Sequence, residues 1–144
     1  MSIYLDSSFV VSAYAVDDNF ESAVSLMETT DELLLVSSFC ELEVLNALEL
    51  RVFRKEMTRQ LAGACAENFR SDLRARALGL RRLPEFAFER ARELSSRNTA
   101  KLGIRASDLL HVACALELGA ESFYSFDQQQ KRLAKSVGLN VNAK

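Results

Sequence analysis

Arg105-Ala-Ser-Asp-Leu-Leu-His-Val-Ala-Cys-Ala-Leu-Glu-Leu-Gly-Ala-Glu-Ser-Phe-Tyr-Ser-Phe-Asp127 is the stretch whose reading decides the fold. A helix, a glycine stop and a strand follow one another in it, with an aspartate near each outer end. Ser107 or Asp108 is placed to cap the helix, because either side-chain oxygen can accept from the free first-turn amides. From Leu109 to Leu118 the helix is apolar on nearly every side, the pattern of a helix packed between a sheet and its neighbours. Gly119 offers the left-handed residue that ends it. Ser122 to Phe126 has the aromatic content of a short buried strand, and Asp127 stands where that strand stops. In a parallel α/β sheet, ligands collect beyond the carboxyl ends of strands and near helix N-termini. Asp108 and Asp127 are both placed to reach such a crevice.

Working outward, Ile3-Tyr4-Leu5 is an apolar strand that ends at Asp6 and runs through Ser7 and Ser8 into Phe9-Val10-Val11, a strand–cap–helix sequence. Phe20 to Glu28 has one apolar side at Ala23, Val24 and Met27. Leu33 to Val36 is the continuous apolar run of a strand covered on both faces. Ser37 or Ser38 opens a helix to about Lys55, with Leu42, Leu45, Leu48 and Val52 at helical spacing. Thr58 to about Leu73 makes another, carrying Leu61, Cys65 and Phe69 inward. Ala77 to Leu83 is a strand interrupted by Arg81 and Arg82. Pro84 to Ser96 is helical, with Phe86, Phe88, Ala91 and Leu94 as its apolar content, and Asn98 to Arg105 is a loop. A last helix from Asp127 to Lys135 precedes a strand over Leu139 to Val141. Five strands alternating with helices predict a three-layer α/β/α domain on a parallel sheet, and residues 1–144 read as one domain.

No apolar run approaches the roughly 20 residues that span a bilayer, and the N-terminus lacks a basic signal-peptide start. Cys40, Cys65 and Cys114 are too far apart for a zinc pattern and odd in number, which favours a reducing cytoplasm over a disulfide framework. With His111 the sole histidine, multi-histidine metal sites are excluded. The net charge of −2 conceals an asymmetry: residues 1–50 hold ten acids and no Lys or Arg, whereas residues 51–105 hold fourteen Lys/Arg against six acids. Such a chain can set an acidic pocket beside basic ground.

Four acids share a placement. Asp6 and Asp127 end strands, Asp108 begins a helix, and Glu43 lies in the second turn of another. Singly, each has a plainer reading, as a helix cap for the aspartates and as a solvated side chain for Glu43. Together, four carboxylates in one crevice repel one another unless a cation is present. Hard oxygen donors without a thiolate or imidazole cluster point to Mg²⁺ or Mn²⁺. Such ions on carboxylates hydrolyse phosphodiesters by activating water, orienting the phosphate and offsetting charge on the leaving oxygen.

Taken in order, Leu5-Asp6-Ser7-Ser8, Glu43-Val44-Leu45-Asn46-Ala47-Leu48, Asp108-Leu109-Leu110-His111-Val112-Ala113-Cys114-Ala115-Leu116 and Ser125-Phe126-Asp127 resemble a PIN-domain protein of the VapC toxin type. The resemblance runs over almost the whole chain. It implies a five-stranded parallel sheet, Mg²⁺ or Mn²⁺ held by Asp6, Glu43, Asp108 and Asp127, and endoribonuclease activity on RNA. It also implies Ser7 and Ser125 as the hydroxyls beside the first and last acids, a cognate antitoxin partner and a homodimer. Some relatives carry a fifth acid after the last one, where Gln128, Gln129 and Gln130 stand here. Glu41 rivals Glu43, but residues two apart on a helix point about 200° apart, so only one faces the pocket; the motif and Asn46 favour Glu43. His111, one turn after Asp108, reads as a buried hydrogen-bonded residue within reach of the site. Ser125 reads as a donor to a carboxylate or water rather than a nucleophile, since no base is placed to activate it.

Arg51, Arg54, Lys55 and Arg59, at the end of the Glu43 helix, and Arg97, Lys101 and Arg105, on the approach to Asp108, are candidates for gripping RNA phosphates or a segment of the antitoxin. The expected function is a metal-dependent endoribonuclease, the toxin of a type II toxin–antitoxin pair. The alternatives are a PIN nuclease of RNA processing and a PIN-fold binding module without turnover.

Overall fold

The computed structural model describes residues 1–143. In chain order its elements are β1 (Ser2–Leu5), α1 (Ser7–Tyr14), α2 (Phe20–Glu28), β2 (Leu33–Ser37), α3 (Ser38–Phe53), α4 (Arg59–Arg74), β3 (Gly79–Arg81), α5 (Ala87–Leu102), α6 (Ala106–Glu117), β4 (Ser122–Tyr124), α7 (Gln128–Ser136) and β5 (Asn140–Val141). The strands form one all-parallel sheet of order β3-β2-β1-β4-β5. This is the predicted architecture. The chain leaves β1 toward β2 and β3 on one side, then returns to its other side with β4 and β5. The order therefore reverses between β1 and β4, which is where an open α/β sheet offers a crevice beyond its carboxyl ends.

Alternation along β1 builds two cores. Ile3 and Leu5 enter one with Leu34 and Val36, covered by α1 to α4; Tyr4 enters the other with Phe123, covered by α5, α6 and α7. All three β1 residues have no exposed surface. At about 1.5–3 kcal/mol for each fully buried large apolar side chain, this central strand is among the most costly to disturb.

Several local expectations shift. Along α3 the buried stripe is Cys40, Val44 and Leu48, whereas Leu42 is 64% exposed and Leu45 and Val52 pack only partly. The helix has leucines on two sides, and the cap at Ser37, which accepts from the Cys40 amide at 3.0 Å, fixes which side turns inward. In α4 the inward residues are Ala62, Cys65 and Phe69, and Leu61 points out. The strand read over 77–83 is only three residues long and sits at the sheet edge, where Arg81 and Arg82 reach solvent. Helix α5 begins after Pro84 and continues through Leu102, over residues read as loop. Its last turns hold because the Asn98 amide donates to the Leu94 carbonyl at 2.9 Å and Gly103, at φ 65°, closes the end left-handed. Phe86 and Phe88 are more than half exposed, and Ala87 and Leu94 are buried in their stead. Finally, α6 starts at Ala106 with Arg105 in the cap position, so neither Ser107 nor Asp108 caps it.

Candidate active site

Asp6 is fixed first, by the junction of β1 and α1. Its amide donates to the Tyr124 carbonyl at 3.1 Å, tying β1 to β4, and its carboxylate accepts from the Phe9 amide at 2.9 Å as the α1 cap. It is therefore a cap, yet its carboxyl also borders the crevice. The hydroxyls of Ser8 and Ser125 donate to it at 2.8 and 2.7 Å, and only 2% of the residue is exposed. Burial lifts this carboxyl to about 6, even though Ser125, the Phe9 amide and Ser8 favour its ionised form.

Glu43 comes from the second turn of α3. The Ser7 hydroxyl donates to its Oε1 at 2.6 Å, and the His111 ring reaches the same oxygen through Nε2. Since an ionised carboxylate only accepts, Nε2 carries a proton toward Glu43, and Nδ1 lies 2.8 Å from the Tyr4 hydroxyl. Tyr4 in turn lies 2.8 Å from the Ser37 hydroxyl. A buried chain of groups thus runs from the α3 cap through the sheet to Glu43. Half-burial would raise the Glu43 carboxyl, but the hydrogen bonds from His111 and Ser7 outweigh it and hold the group below its usual range.

Asp108 lies in the first turn of α6 and Asp127 caps α7, accepting from the Gln130 amide at 3.1 Å. Arg105 faces both, with Nε 3.2 Å from Asp108 and a terminal nitrogen 3.9 Å from Asp127. Burial raises the Asp108 carboxyl and the charge of Asp127 adds to this, against the pull of Arg105. Gln130 was read as the absence of an acid; in the structure it is buried and connects the two halves. Its Oε1 lies 3.1 Å from the Ser125 hydroxyl and its amide donates to the Asp108 carbonyl at 3.3 Å. A glutamine on the stripe that continues through Leu133 and Ala134 was the available signal.

Asp6, Glu43, Asp108 and Asp127 line one cavity of about 170 Å³ with Ser7, Ser8, Arg105 and His111. Glu43 lines it and Glu41 does not. Ser125 sits behind the wall, on Asp6. Of the basic candidates, Arg105 borders this cavity and Arg51 a larger adjoining one; Arg54, Lys55, Arg97 and Lys101 are exposed and line neither, and Arg59 pairs with Glu49.

A family model described as PIN domain matches residues 3–136. The chain belongs to the PIN-domain family. No curated protein sequence matches it significantly. Among solved structures, VapC20 of Mycobacterium tuberculosis, described as a sarcin–ricin-loop-cleaving toxin, superposes with a TM-score of 0.71 at 19% identity, covering 95% of each chain. VapBC2 of Rickettsia felis, bound to a DNA fragment from its promoter, gives 0.69 at 17% identity over 99% of this chain and 98% of that one. FitAcB of Neisseria gonorrhoeae gives 0.64 at 17% identity over 96% and 95%. At such identities the likeness concerns the PIN fold.

The donors of this PIN cavity suit a hard divalent ion. They are carboxylates and hydroxyls, the three cysteines are buried thiols outside the cavity lining, and the single imidazole nitrogen facing the cavity is committed to Glu43. As the side chains stand, no three His, Cys, Asp or Glu among the described residues are arranged to hold an ion. Each acid is instead engaged by a protein donor, and the cation beside Asp108 and Asp127 is the guanidinium of Arg105. Among the described residues, no helix is long and apolar enough to cross a membrane.

Proposed function

We propose that this PIN domain, acting as one domain over residues 1–144, is a metal-dependent endoribonuclease and the toxin of a type II toxin–antitoxin pair. The carrying observation is the meeting of four carboxylates in one small cavity, three of them delivered after strands β1, β2 and β4 and Asp108 by the start of α6. Asp6, Glu43, Asp108 and Asp127 would hold Mg²⁺ or Mn²⁺, which when bound activates water and offsets charge on the leaving oxygen of a phosphodiester. Ser8 and Ser125 hold Asp6 in one rotamer, and Ser7 and His111 do the same for Glu43. With an ion on the acids, Arg105 would be free to take a phosphate oxygen. Arg51, Arg54, Lys55, Arg97 and Lys101 supply further contacts to RNA or to the antitoxin. Likeness to the solved VapC20, VapBC2 and FitAcB structures supports the toxin reading and an antitoxin partner; a homodimer acting in the cytoplasm completes the proposal.

The test is cleavage of a single-stranded RNA by the purified protein. Cleavage is expected with Mg²⁺ or Mn²⁺ and none with EDTA; equal cleavage in EDTA refutes the metal mechanism. Expression of the protein alone should arrest growth of its native host, and normal growth with an active enzyme refutes the toxin role.

A further inference from the structure

A second cavity, of about 600 Å³, opens beside the acid cavity and shares Ser7, Ser8, Glu43 and Asp127 with it. Its floor is one stripe of α3: Glu43, Asn46, Ala47, Leu50 and Arg51 follow at the spacing of one helix face. The stripe begins at an acid of the first cavity and ends at a cation, about 12 Å further along the helix. Arg51 is held there by Asp17 at 3.6 Å. Between the ends, besides the hydroxyls of Ser7, Ser8 and Ser12, the lining is of two kinds. Val11, Ala47, Leu50 and Phe126 are apolar, and Phe126 is backed by the parallel ring of Phe9 at 5.2 Å. Asn19 and Asn46 present side-chain amides for which, among the described residues, no partner is found.

That combination has a chemical reading. An apolar lining with a backed aromatic ring suits a stacked ring system, and amides that both donate and accept suit the edge of a nucleobase. The volume lies in the ordinary range for a small-ligand pocket. Acids at Glu43, Asp17 and Asp127 disfavour a phosphate inside it, so a neutral base fits and a backbone anion does not. We propose that this cavity receives one unpaired base of the RNA, next to the bond that is cut, and that Asn46 reads its edge. The inference rests on the nuclease reading above and names the substrate feature that the site selects.

Two variants test it without touching the acids. Asn46→Ala removes the amide, and Ala47→Phe fills the floor. Cleavage of a single-stranded oligoribonucleotide with Mn²⁺ is compared with a set in which each position in turn lacks its base. Wild type is expected to lose about tenfold or more in kcat/KM at one abasic position beside the cut, the scale of a single stacked base. On the intact RNA both variants should show a similar loss, chiefly in KM, and should lose little more at that abasic position. Their gain in Tm on adding Mn²⁺ should match wild type, which shows the acid cavity intact. A cleaving wild type with no sensitive position, or variants that keep the full sensitivity, overturns this inference and leaves the nuclease reading standing. Unchanged kinetics in both variants is also the result expected if a segment of a protein partner fills the cavity instead. A wild type that cleaves no RNA with Mn²⁺ overturns the nuclease reading and this inference with it.

Discussion

Replacing Asp6 by asparagine is expected to make the metal-free protein more stable while abolishing its activity. Asp6 is 2% exposed, and its carboxyl moves from 3.8 to about 6 because burial penalises the charge. The folded state therefore binds the proton more tightly than the unfolded chain. The stability that protonated Asp6 permits is complete below 3.8 and is lost as the pH rises through about 6. At about 1.4 kcal/mol per pH unit, the ionised group costs the folded apo protein about 3 kcal/mol at pH 7. Asparagine keeps the oxygen that accepts from the Phe9 amide and the shape of the carboxylate. Its amide nitrogen faces the Ser125 hydroxyl, which can turn its hydrogen toward Gln130. Allowing about 1 kcal/mol for hydrogen bonds made less well, the net gain is about 2 kcal/mol, or about 4–8 °C in Tm.

The assay is urea denaturation in EDTA from pH 4 to pH 7.5. The difference between Asp6→Asn and wild type isolates this group, because the other carboxylates titrate in both proteins. It should be small or negative at pH 4 and grow through pH 6. Added Mn²⁺ should reverse the order at pH 7, since an ion stabilises only the folded protein that binds it. A difference flat with pH would refute the buried ionised carboxylate, and equal Mn²⁺ shifts in the two proteins would refute its role as a ligand.

Asp108→Asn should lower cleavage by orders of magnitude at little cost in fold, because Asp108 caps no helix; a variant cutting at the wild-type rate removes Asp108 from the chemistry. Tyr4→Phe strips the shared hydroxyl from Ser37 and His111 in a fully buried place and should cost about 1–3 kcal/mol by urea denaturation. Unchanged stability would show that the chain of groups behind Glu43 carries no load. Arg105→Gln should alter apo stability by less than about 1 kcal/mol, since its side chain is 76% exposed. The same variant should bind Mn²⁺ more tightly in calorimetric titration, because a competing cation is gone; weaker binding would contradict the exchange of guanidinium for ion.

The fold was legible where its physics is local. Apolar runs that end in an aspartate and a serine mark strand-to-helix junctions, and those junctions also deliver Asp6 and Asp127 to the crevice. Helix faces were less legible. In α3, Leu42 and Leu45 follow helical spacing as well as Cys40, Val44 and Leu48 do, and only the cap at Ser37 and the packing of neighbours decide between them. Residues 98–102 carry no apolar stripe, so their continuation of α5 rests on backbone bonds and a left-handed glycine. Within the site, the acids and the partners Ser7, Ser125 and His111 were legible, whereas the parts played by Tyr4 and Gln130 were not. Tyr4 meets His111, and Ser125 meets Asp6, only through the sheet order, which sets residues more than a hundred positions apart side by side; Gln130 meets Ser125 five positions away, at the start of α7.

Those partners divide the site into two unlike halves. Asp6 and Glu43 are held by buried or half-buried donors on rigid elements: two serines and a helix amide for one, a serine and a histidine for the other. Moving either would strand buried donors at about 1–3 kcal/mol each. Asp108 and Asp127 each take one donor from Gln130 and are otherwise faced by one solvent-exposed arginine, whose ion pairs are worth little in water. A cation can displace that arginine cheaply, whereas the other half must already be in place. On the nuclease reading, the cavity is therefore preorganised on the β1 and α3 side and opened for exchange on the α6 and α7 side. The Arg105→Gln and Tyr4→Phe variants separate these halves: the first should change ion affinity with little effect on stability, and the second should do the reverse.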